Sequence, residues 1–183
     1  MRIQSRTDRK KKLYKLIVAY KDIEEARHAC SLFSRTIRST SDDMYYPLLT
    51  AIVIPYSKPF VKNKALGILP GCWQKFEKRE LQETHDRLLK FRHDNIAHND
   101  LSTVQVLIVP PGAKVDGKES KALGVSWAFS RHKLALETFR LIWDTIEDLR
   151  MRLEKAINEE MLVLFGLSKL PAESFVLTFD ENL

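Results

Sequence analysis

Apolar positions in the first part of the chain recur at spacings of three and four: Leu13, Leu16, Tyr20, Ile23, Ala26, Cys30, Phe33 and Ile37. The spacing puts them on one face and predicts a long amphipathic helix over 8–37. Ser41-Asp42-Asp43 then opens a nearly continuous apolar run from Met44 to Ile54, read as a second helix with its acids in the first turn and Pro55 as its end or kink. After a loop over 61–72, a third helix is expected over 74–97. Its exposed face carries the acid-first pairs Glu83 with Arg87 and Asp86 with Lys90, and Leu81, Leu88 and Phe91 lie opposite. Val104, Val106 and Ile108 alternate with Thr103, Gln105 and Leu107, and Leu123, Val125, Trp127 and Phe129 repeat the two-residue period, which predicts a β-hairpin inserted over 103–129. Three-to-four spacing returns from Leu136 through Phe139, Ile142, Ile146, Leu149, Leu153, Ile157 and Met161 to Leu164, a last helix over 131–165 with Ser130 as its cap. Such a helix would be about 50 Å long at 1.5 Å per residue, so it needs a partner helix, from this chain or from a second subunit.

The pattern is that of a mainly α protein, an antiparallel bundle of four to five helices with an inserted hairpin. A length of 183 residues fits a single domain over 1–183. Hydrophobic residues at 44% and only 13 Gly plus Pro exclude a disordered or collagen-like chain. Two cysteines, Cys30 and Cys72, cannot staple a domain of this size. No leader pattern opens the sequence, and no apolar run approaches the roughly 20 residues needed to cross a bilayer. A reducing, cytoplasmic setting and no membrane partner are therefore expected.

Net charge is +6, but the first 21 residues alone hold eight cations against Asp8, so the rest of the chain is close to neutral. Arg9, Lys10, Lys11 and Lys12 in this stretch are candidates for contacts to RNA phosphates, each releasing counterions on binding. The plainer reading is a solvated helix start.

Three of the five histidines fall within 85–98. In the stripe 81, 85, 88, 92, 96, two of the five members are His85 and Arg92. Arginine is rarely buried unpaired, so Arg92 has to meet a carboxylate, line a subunit interface or face an anionic ligand. A zinc pair needs imidazoles one turn apart, whereas His93 and His98 lie about 140° apart on an α-helix. Pairing Asp94 with His98 gives only two ligands, so no metal is assigned. There is no G-x-S-x-G, and neither cysteine carries a nucleophile signature. No glycine-rich phosphate loop is present among six glycines, and no cofactor is expected.

The run Arg92-His93-Asp94-Asn95-Ile96-Ala97-His98, an R-x5-H spacing, resembles the signature of the HEPN superfamily of helical nucleotide-binding and ribonuclease domains. Thr84 to Leu89 and Tyr56 to Phe60 resemble segments of an uncharacterised bacterial HEPN-like branch, and the resemblance covers 8–165. It implies a small helical bundle that forms a homodimer around the motif helices. Arg92 and His98 of both subunits would then line a cleft that cuts RNA without metal, as in toxins paired with a cognate antitoxin protein and in phage-defence nucleases. Under the resemblance His98 handles the 2′-hydroxyl or leaving-group proton, and Arg92 stabilises charge on the phosphoryl oxygens. His93, Asp94, Asn95 and His85 are supporting candidates, with His93 standing where many active members have Asn. The alternative in the same family is a non-catalytic module that binds nucleotide, RNA or protein. A histidine with an ordinary pKa of about 6.5 and a permanently charged guanidinium suit this chemistry. On an ideal α-helix the two residues lie about 120° apart, so the helix must end or distort near Asn95 for both to reach one phosphate.

Overall fold

The computed structural model describes residues 5–62, 67–97, 104–115, 117–119, 126–131, 133–166, 174 and 176–177. Helix α1 (Arg6–Thr36) starts where Ser5 accepts the Asp8 amide hydrogen at 3.1 Å, and Asp8 sits favourably in the positive first turn. Helix α2 (Tyr45–Ser57), helix α3 (Arg79–Phe91) and helix α4 (Thr138–Phe165) complete a bundle. In it α1 packs on α2 and α4, and α3 packs on the same two helices from the other side.

The core of α1 is Leu16, Ala19, Ile23, Ala26, Cys30 and Phe33, a repeat of three and four that mixes small residues with large ones. Helix α4 answers with Phe139, Ile142, Ile146, Leu149 and Leu153 in the same rhythm. Two such seams mesh when the axes cross at a shallow angle of about 20°. Arg9 and Lys12 meet Glu160, Tyr20 meets Arg150, and Arg27 meets Glu147, so α1 and α4 run antiparallel over most of their lengths. The partner that the long last helix requires is thus α1 of the same chain.

Sequence and structure differ at several places, each for a local reason. Ala19, 4% exposed, takes the core position assigned to Tyr20, whose hydroxyl instead meets Arg150 at the helix edge. Near the end of α4 the buried position passes from Met161 to Glu160, whose carboxylate is drawn onto α1 by Arg9 and Lys12. Asp42 does not cap α2. Its carboxylate accepts the backbone N–H of Arg38 at 2.7 Å and of Ser39 at 3.0 Å and so closes the turn that leaves α1. Pro55 lies inside α2 rather than ending it, and the helix runs to Ser57 before tightening into a 3-10 turn at Lys58–Phe60. Pro47 sits in the first turn, where a missing amide hydrogen removes no helical bond.

Helix α4 starts at Thr138, and Ser130 belongs to a strand. The buried Leu134 before it is held by Tyr45, whose hydroxyl donates to the Leu134 carbonyl at 2.7 Å and accepts its amide hydrogen at 2.8 Å. Strand β1 (Val104–Val109) pairs antiparallel with β4 (Ser126–Arg131), with Val104 opposite Arg131 and Val109 opposite Ser126. Between them in sequence, β2 (Lys114–Val115) pairs with β3 (Lys118–Glu119). Among the described residues no helix is long and apolar enough to cross a membrane.

Candidate anion-binding cleft

Helix α3 ends at Phe91, and the next six residues, Arg92–Ala97, are wound as a π-helix. Widening to i→i+5 hydrogen bonds is an uncommon arrangement that recurs at functional sites. Arg92 opens the wide turn, its N–H shared between the carbonyls of Leu88 and Leu89. The change of winding spans Asn95, near which the sequence reading expects the helix to end or distort.

Arg92 is half-buried and forms part of the wall of an open cleft of about 250 Å³ between α1 and the chain leaving α2. Lys15, Lys58 and Lys62 line the same cleft, and Asp22 is the single acid among the described lining residues. Local structure places each of these cations. The 3-10 turn turns the end of α2 back across α1, so that the Lys58 ammonium reaches Asp22 at 3.0 Å and Glu25 at 3.7 Å. The Asp22 hydrogen bond raises the Lys58 pKa and keeps the ammonium charged. Lys15 donates to the carbonyl of Ile68, and the Leu69 N–H donates to the Pro59 carbonyl at 2.8 Å, drawing the return strand of the loop over the cleft. Gly67 beside Lys15 has φ +67°, a left-handed conformation suited to glycine. Among the described residues no carboxylate pairs with Arg92. Four cations against one acid in a partly enclosed space make a site for an anion whose charge is spread over several oxygens.

The structure separates the other site residues expected from the sequence. His98 lies outside the described residues, as does Asp100. His93 is exposed, and its Nδ1 lies 3.0 Å from the Asp94 carboxylate. Asn95, in the same π turn as Arg92, has a buried side-chain oxygen with no hydrogen-bond partner among the described residues. His85 is fully buried under the aromatic rings of Phe60, Phe76 and Tyr56 and takes no part in the cleft wall. Its Nδ1 is 2.7 Å from the Tyr56 hydroxyl, while Nε2 has no partner. Burial lowers the imidazole pKa to about 4, with Arg152 adding to the effect and Asp86 opposing it. A neutral, sealed imidazole is no proton carrier for a bound substrate. It bolts α3 to the end of α2, where the Lys58 turn begins, and acts as a support for the cleft.

The basic N-terminal segment is not a free arm over the residues described. Arg9 and Lys12 clamp the Glu160 carboxylate at 3.3 and 2.5 Å, Lys10 is buried, and Lys11 is exposed. Arg9 and Lys12 are thereby committed to joining the start of α1 to the end of α4. Sequence reading missed Lys15, Lys58, Lys62 and Asp22, which come from separate segments and share no linear motif.

No family model matches this chain, and no curated protein or solved structure matches it significantly.

Proposed function

We propose that this chain is a HEPN-like, RNA-directed protein, a metal-independent endoribonuclease of the toxin or phage-defence kind acting as a homodimer. The observation that supports the reading is the position of Arg92. The cation that interrupts an apolar helical stripe lies on an open, basic cleft together with Lys15, Lys58 and Lys62. A phosphodiester fits that charge, and a guanidinium offers it forked hydrogen bonds. In this reading the RNA 2′-hydroxyl attacks the adjacent phosphorus, the 5′-oxygen leaves, and a cyclic phosphate remains. Arg92 neutralises the charge that builds on the phosphoryl oxygens, and His98 moves the proton.

The second reading, a binding module without chemistry, draws support from the histidines that the structure describes. His85 is sealed in the core and His93 is turned to Asp94, so neither supplies a proton-transfer group to the cleft. Purified protein incubated with single-stranded RNA in excess chelator distinguishes the two. Cleavage leaving cyclic phosphate ends, lost in His98→Ala, is the result expected of the ribonuclease. Retention of intact RNA that weakens steeply with salt and is unchanged in His98→Ala establishes the module instead. Absence of both cutting and retention, or retention unchanged by Arg92→Ala, overturns the RNA reading.

A further inference from the structure

A second cavity, remote in sequence from the motif, lies between the last turns of α1 and the start of α4, with a volume of about 350 Å³. Its polarity is graded from floor to mouth. Cys30, Phe33, Ile37 and Phe139 form the floor and are each 6% exposed or less. Trp143 is half-buried on one wall, and Ser34 and Arg140 stand at the exposed rim. Arg140 is the sole charge on the lining, and among the described residues no carboxylate pairs with it. The walls are held before anything binds. Phe33 and Phe139 stack with centroids 3.7 Å apart, and Trp143 is pinned from another side by the Arg27 guanidinium 5.2 Å from its ring. The Ser34 hydroxyl donates to the Ser31 carbonyl at 3.0 Å. Burial pushes the Cys30 thiol up to about 12, so the floor is an unreactive apolar surface.

We infer that this cavity is a binding site for a small amphipathic carboxylate, an aryl or medium-chain acyl acid whose apolar body fills the Phe33–Phe139–Trp143 pocket while its carboxylate meets Arg140 at the rim. The volume lies within the roughly 300–1,000 Å³ of small-molecule sites, and a mostly apolar lining with one fixed polar anchor is their usual chemistry. A neutral apolar molecule leaves Arg140 unused, and a polyanion finds one cation and an apolar floor. A monoanion on an apolar body matches both parts. The site shares no lining residue with the Arg92 cleft and stands whether or not that cleft binds RNA.

The test uses the full chain and two fluorescent probes, anionic anilinonaphthalene sulfonate and neutral N-phenylnaphthylamine, with decanoate and decanol as competitors. The expected result is saturable binding of one sulfonate probe per chain with quenching of tryptophan emission, displaced by decanoate at lower concentration than by decanol. Arg140→Gln weakens the sulfonate probe and decanoate about tenfold, as loss of a charge-assisted hydrogen bond predicts, and leaves the neutral probe within about twofold. Ser34→Phe, at an exposed helical position on the rim, blocks both probes while the thermal midpoint is kept; Arg92→Gln changes neither. The inference is overturned by absence of one-per-chain binding, by binding that survives Ser34→Phe, by equal loss of both probes in Arg140→Gln, or by loss in Arg92→Gln.

Discussion

Acidification acts on the protein through His85, and its effect can be worked from the structure. The folded imidazole has its pKa lowered from 6.5 to about 4 by burial, whereas the unfolded chain returns it to water and to the ordinary value. Above pH 6.5 neither state is protonated and the residue adds no pH dependence. Between pH 6.5 and about 4 the unfolded state binds a proton that the folded state refuses, so stability falls as pH falls. At about 1.4 kcal/mol per pH unit, the gap of 2.5 units removes about 3 kcal/mol by the time the pH drops below 4, a large share of the stability of an ordinary domain. Carboxylates titrate over the same range, so the measurement is a difference between two proteins. Urea unfolding of wild type and of His85→Gln is followed at pH 7, 6, 5 and 4. The variant starts less stable at pH 7, since the Tyr56 contact is disturbed, and the wild-type advantage shrinks by about 3 kcal/mol toward pH 4. An advantage that stays constant or grows on acidification refutes the reasoning, as does a His85 proton resonance that titrates near 6.5 in the folded protein.

Three further substitutions probe other parts of the structure. Tyr45→Phe strips both hydrogen bonds from the buried Leu134 backbone and costs about 2–3 kcal/mol in denaturant unfolding, with no change in the Arg92 cleft. Glu160→Gln removes the carboxylate shared by Arg9 and Lys12. Because the acid is 8% exposed while its partners are 32% and 47% exposed, the loss is about 1–2 kcal/mol, less than a fully buried pair would give, and shrinks in high salt. Arg92→Ala changes unfolding free energy by less than about 1 kcal/mol, since no described carboxylate depends on it, yet lowers RNA retention and flattens its salt dependence by about one phosphate contact.

Much of the helical architecture was legible because apolar period is a physical requirement of packing, and the stripes of α1 and α4 carry it residue by residue. What escaped has a common cause in contacts between segments distant in sequence. Leu136 continues the three-to-four rhythm backwards from Phe139, yet α4 starts only at Thr138, after the Tyr45 hydroxyl has engaged the backbone of Leu134. Alanine carries little weight in a hydrophobic pattern, so the periodicity favours Tyr20, although Ala19 is the buried residue. Arg92 announced itself as a cation in an apolar seam. The lysines around it did not, since Lys15, Lys58 and Lys62 converge only after α2 turns back over α1. His85, a supporting site candidate in the sequence, lies instead inside an aromatic cage with one nitrogen unmet among the described residues.

Pairing the opening helix with the closing one sets the order in which the protein can be completed. While the ribosome is still adding residues, the apolar side of α1 has α2 beside it, but the α4 surface that covers the rest has not yet emerged. Leu149 and Leu153 are made more than a hundred residues after the α1 positions they shield. A nascent chain stalled before that point exposes a sticky, regularly spaced row of side chains, the kind of surface that chaperones hold and that promotes aggregation when left uncovered. Emergence of α4 is therefore the step that covers this surface.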